Sequence, residues 1–67
     1  MDINIRAAIK HNIADNDKEQ LRETIVDAIQ DGQEKMLPGL GVLFEIIWQQ
    51  ADESQKEMMV NNLAKGV

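Results

Sequence analysis

Residues 36 to 51, MLPGLGVLFEIIWQQA, limit what this chain can become more than any other stretch. They hold its one Trp, its one Phe, its one Pro and two of its four Gly. Pro38 suits the first position of a helix, where its missing N–H is not needed and its φ is already set. At 100° per residue, Leu40, Leu43, Phe44, Ile47 and Ala51 then form a main apolar stripe, which Ile46 and Trp48 widen on opposite sides. Only Glu45 and Gln49, four apart, mark a wet side, with Val42 close beside them. A helix this apolar round its circumference must be covered from more than one direction.

The remaining segments read as shorter helices able to supply that cover. Ile5, Ala8, Ile9 and Ile13 recur at near-helical spacing over residues 3 to 13, flanked by Arg6 and Lys10, and Asp2 precedes them as an N-cap candidate. Ala-Asp-Asn-Asp at 14 to 17 gathers turn formers and predicts a stop. A second helix starts at Asn16 or Asp17, since both Asn16-x-x-Glu19 and Asp17-x-x-Gln20 have capping-box spacing. Leu21, Ile25, Ala28 and Ile29 lie at i, i+4, i+7 and i+8 on one apolar face of it, and Gly32 supplies a left-handed end. On its other side Glu19, Glu23, Asp27 and Asp31 recur every four residues, which reads as a solvated face before it reads as a dock for cations or a basic partner. Residues 33 to 37 connect to the central helix. Gly39 and Gly41 each lower helix propensity by about 1 kcal/mol, so close approach of another backbone is expected over that first turn. A fourth helix begins between 53 and 55, capped through Asp52-x-x-Gln55 or Ser54-x-x-Glu57. Met59, Val60 and Leu63 lie on one side of it, Met58 points off that side, and Gly66 closes it.

Sixty-seven residues make one small domain, residues 1–67, which at this size needs help beyond a single core. No cysteine is present, so no disulfide supplies that help, and His11 alone cannot hold structural zinc. Tight helix packing or self-association remains. In a chain this short a second copy can complete the cover of the central helix, with Val42, Ile46 and Trp48 at the seam as the expected protein interface.

Formal charge is −5, from 12 acidic against 7 basic residues. That balance argues against coating nucleic acid, which depends on Lys and Arg at phosphates, although a local patch at Arg6 and Lys10 stays open as an alternative. No segment has the pattern of a leader or the length of a membrane span, so a cytosolic character is expected. Catalysis is not expected either. There is no Cys or Tyr and only one His, one Ser and one Thr, which leaves no nucleophile–base pair to assemble. His11 falls off the Ile5/Ile9 stripe and reads as a solvated or helix-end residue. Glu45, the one carboxylate inside the apolar helix, could act as an acid or base if buried, but helical phase puts it outside. The glycines near Pro38 are not spaced as a phosphate loop, and no Lys or Ser/Thr follows them. No cofactor and no metal is expected. Nor does residues 38 to 51 read as a DNA-recognition helix, lacking Lys, Arg, Asn, Ser and Thr.

The opening MDINIRAAI, the middle TIVDAI, the block EKMLPGLGVLFE from Glu34 to Glu45 and the DES at Asp52 to Ser54 together resemble the small acid-soluble spore protein I family of Bacillus relatives. The resemblance covers nearly the whole chain. It implies a minor protein made in the developing forespore and kept in the spore core, with no established enzymatic activity. That family is distinct from the DNA-coating α/β-type spore proteins, whose pattern is not matched here, so neither their DNA-saturating role nor their cleavage at germination carries over. The sequence thus predicts an all-α domain of about four short helices around a central hydrophobic helix at residues 38–51. It is expected to act by association with itself or with another spore-core protein.

Overall fold

The computed structural model describes residues 4–67, and among them the chain is helical with no strand. Four α-helices follow in order: α1 (Ile5–Ile13), α2 (Lys18–Asp31), α3 (Leu37–Gln50) and α4 (Glu53–Gly66), with one 3₁₀ turn at Glu34–Met36. Helix starts are set by short polar side chains that satisfy otherwise unpaired N–H groups. In α1 that residue is Asn4, whose Oδ1 accepts from the Ala7 N–H at 2.9 Å. The expected cap, Asp2, lies outside the described residues.

Two complete capping boxes punctuate the rest of the chain. Asp17 accepts from the Gln20 N–H at 2.9 Å while the Gln20 side chain accepts from the Asp17 N–H at 3.0 Å, so the Asp17 reading holds and Asn16 stays in the turn. Asp52 and Gln55 repeat the arrangement at 2.8 and 3.0 Å, which decides against Ser54 as the cap. Gly32 ends α2 at φ 65°, a left-handed conformation that costs an ordinary side chain about 1 kcal/mol or more. Gly66 does not play that part. It is the last residue of α4, and among the described residues Gly32 alone has a positive φ. The connection before α3 is no loop: the 3₁₀ turn runs straight into the helix, so Leu37 is its first residue and Pro38 its second.

Helix α3 is the hub, with α1 and α2 packed on it. Arg6 of α1 reaches Glu45 while Ile9 sits beside Gly39, so the two helices run in opposite directions. Between α1, α2 and α3 lies an apolar cleft of about 430 Å³, lined by Ile9, Ile13, Ala28, Met36, Leu40 and Leu43 among others. The glycines are not explained by an approaching backbone. A Cβ on Gly39 would stand 3.5 Å from the Ile9 Cδ1, an ordinary contact with a side chain, and a Cβ on Gly41 would meet nothing within 4 Å. The enclosed core is thin: among the described residues only Ala28 and Val42 are buried, at 6% and 7% exposure.

Candidate functional site

The circumference of α3 divides into three sectors. Gly39, Val42 and Glu45, spaced three apart, share one side, and that side meets α1. Leu40 and Leu43 line the cleft toward α2. Phe44, Ile47, Trp48 and Ala51 turn toward α4, whose Met58, Met59, Val60 and Leu63 lie alongside them. Cover from more than one direction is therefore what α3 receives, but the side expected to be wet is the one α1 occupies.

Glu45 shows why that expectation failed. Arg6 donates to it from Nε at 2.9 and 3.1 Å and from Nη2 at 2.9 Å, a fork-on-carboxylate pair across 39 residues of sequence. Both side chains keep contact with water, at 58% and 37% exposure. The stem of Arg6 can cover apolar surface while its head stays solvated. A carboxylate with such a partner does not mark a bare side, and Val42 beside it becomes one of the two buried residues. The hydrogen bonds from Arg6, aided by the charges of Arg6 and Lys10, hold the Glu45 carboxyl below its ordinary value despite partial desolvation, and the same pair raises Arg6. A carboxyl kept ionised in this way is not poised as a general acid at neutral pH.

Of the three residues expected at an intermolecular seam, Val42 is buried at 7% exposure, on the side of α3 that also carries Gly39 and Glu45, and Ile46, one turn further on, is half-buried. Trp48 lies on the α4 side of α3, where Lys56 Nζ sits 5.3 Å from its ring centroid and Phe44 stacks at 6.0 Å, tilted 33°. The bare apolar surface is elsewhere. On the α3–α4 pair, Phe44 (50% exposed), Val60 (50%) and Leu63 (63%) lie along one side, and Ile47 (46%) and Met58 (61%) along the other. Two shallow grooves of about 430 and 490 Å³ run along α4 there. Sequence periodicity put Phe44 and Ile47 on the main stripe of the central helix and Val60 and Leu63 on one side of the fourth, with Met58 off that side. The four acidic residues of α2 stay exposed, and no group of three His, Cys, Asp or Glu among the described residues is arranged to hold a metal ion. His11 is exposed at the end of α1, as its place off the stripe requires. No helix among the described residues is long and apolar enough to cross a membrane.

Comparison with known proteins decides the relationship. A family model described as Small, acid-soluble spore protein I matches residues 3–67. The chain belongs to the small acid-soluble spore protein I family. Relatives of that name include one from Geobacillus kaustophilus, 63% identical over all of this chain and 97% of its own length. Others come from Bacillus subtilis strain 168, 60% identical over all of this chain and 94% of its own, and Bacillus mycoides, 57% identical over all of this chain and 97% of its own. No solved structure matches the chain. Membership in this spore protein family agrees with the resemblance carried by EKMLPGLGVLFE and the flanking segments. It places the chain among sporulation proteins, and the bare α3–α4 surface is a feature of a spore protein I chain.

Proposed function

We infer that this spore protein I chain works in the forespore cytoplasm and the spore core as a non-enzymatic component that acts by protein association. One observation carries the reading: five large apolar side chains of α3 and α4 are each about half or more open to solvent, in a chain with 28% charged residues. Bare apolar surface gathered on one pair of helices is characteristic of contact sites. The family relationship supports a role in the spore, and the residue inventory supports association over catalysis. Nucleic-acid contact through Arg6 and Lys10 is disfavoured because Glu45 already engages the Arg6 guanidinium.

The reading is tested by placing a photoreactive phenylalanine analogue at position 63 in sporulating Bacillus cells and irradiating the dormant spores. A protein adduct of defined mass is the expected result. A chain that stays unlinked in the spore, while the same analogue reacts with added peptide in solution, overturns association.

A further inference from the structure

We propose that the cleft between α1, α2 and α3 is a binding site for a small alkyl carboxylate, its hydrocarbon tail held among the helices and its carboxylate at Lys35. The site is separate from the bare surface of α3 and α4, and it does not depend on the association reading.

Shape is the first ground. The cleft has three helical walls: Ile5, Ile9 and Ile13 from α1, Ala28 from α2, and Leu40 and Leu43 from α3. Its volume of about 430 Å³ falls inside the range of roughly 300–1,000 Å³ that small-molecule sites occupy. A well-packed interior leaves few voids larger than a water molecule, yet here the inward stripe of α1 stays partly open. Ile5 is 42% exposed, and Ile9 and Ile13 are only half-buried. A hydrocarbon tail in the cleft takes that stripe out of water.

The chemistry of the walls narrows the ligand. They are aliphatic, with Met36 of the 3₁₀ turn among them, and carry no aromatic ring on which a flat ligand could stack. A methionine side chain is unbranched and adapts to a flexible tail.

Charge selects the head. The chain has a net charge of −5, but no acidic residue among the described ones lines this cleft, and Lys35 is the one charged side chain that does. Neither ion pair among the described residues, Arg6 with Glu45 or Lys56 with Glu53, uses that lysine. Lys35 is exposed, so its stem can lie along apolar surface while the ammonium stays in water at the mouth. The Thr24 hydroxyl already donates to the Gln20 carbonyl at 2.9 Å, which leaves Asn12 and Lys35 to donate to a polar head. A carboxylate there meets an opposite charge, and a cationic head meets its like. An apolar body with one negative end therefore complements the cleft in shape and in charge.

Proton–nitrogen NMR correlation spectra of the full chain, titrated with sodium decanoate below its micellar range, supply the test. Decyltrimethylammonium serves as the cationic counterpart. The amide signals of Ile9, Ile13, Ala28 and Leu40 are expected to move with decanoate and to saturate, while those of Met58 and Leu63 hold their positions. Lys35→Glu alters an exposed side chain, so the spectrum should stay that of a folded chain while the decanoate dissociation constant rises about fivefold or more. The same variant should favour decyltrimethylammonium over decanoate. Lys65→Glu makes an equal change of net charge near the end of α4 and should leave decanoate binding within about twofold. Four results overturn the proposal: no saturable movement with decanoate, movement centred on Met58 and Leu63, a wild type that binds both amphiphiles equally, or equal effects of Lys35→Glu and Lys65→Glu. A cleft taken by the chain's own first residues would leave the cleft signals unmoved, and so gives the first of these.

Discussion

Val42→Ala is the substitution that tests the packing of α3 most directly. Val42 is 7% exposed and sits where α1 crosses the sector of α3 that also carries Gly39 and Glu45. Truncation removes two methyl groups from that contact, about 1.6 kcal/mol at 0.8 per buried group, and the space left behind adds to the loss because the surroundings collapse only in part. Alanine returns about 0.6 kcal/mol of helix propensity relative to valine. The net expectation is a loss of about 1–2 kcal/mol. For a domain of this size that is a large share of about 3–5 kcal/mol of total stability, and it corresponds to a fall in Tm of roughly 5–15 °C. Thermal and urea unfolding followed at 222 nm supply the measurement, at two protein concentrations tenfold apart so that any contribution from self-association, which makes Tm concentration-dependent, is separated from it. The shift caused by Val42→Ala should be the same at both, since the contact lies within one chain. A Tm unchanged within 2 °C, or a shift that disappears on dilution, would falsify the placement of α1 over Val42.

Further outcomes follow from the same geometry. Gly41→Ala should raise stability by about 1 kcal/mol, because the added methyl meets nothing within 4 Å, and chemical unfolding of a dilute sample reads it. Asp17→Ala and Asp52→Ala should each cost about 1 kcal/mol through loss of a capping box; the two losses should add, and a double variant no weaker than either single one would contradict independent caps. The Glu45 carboxyl is held below its ordinary value, so its contribution is complete above the unfolded carboxylate range near pH 4.3 and fades as pH falls through the depressed folded value. An acid titration of Tm should therefore separate wild type from Glu45→Gln at neutral pH and bring the two together at strongly acid pH; curves that stay parallel to the acid end would rule out the Arg6 pairing as the cause.

What could be read in the sequence was what depends on near neighbours. The Asp17–Gln20 and Asp52–Gln55 boxes close over three residues, and the left-handed Gly32 follows directly on its helix, so helix ends were legible without knowledge of packing. The orientation of α3 was not. Its apolar arc is so wide that periodicity could not say which sector meets which helix, and the one clue to a wet side, Glu45, finds its partner 39 residues earlier. The same ambiguity put Phe44 and Ile47 on one stripe with Leu40 and Leu43 and grouped Val42 with Trp48 at a seam, although the chain sets those last two on different sides of the helix. Apolar periodicity reports that a face wants cover. It carries no information on whether the cover belongs to the same molecule.

The fork between Arg6 and Glu45 also bears on how many ways α1 can lie. Aliphatic side chains such as Ile5, Ile9 and Val42 slide past one another at little cost, and a shift of one helical turn, 5.4 Å, would exchange one oily neighbour for another. The guanidinium allows no such latitude, because its parallel N–H bonds to a carboxylate survive only at one distance and one angle. A contact worth little to stability thus acts as a detent, picking a single alignment out of several that grease alone would leave nearly degenerate.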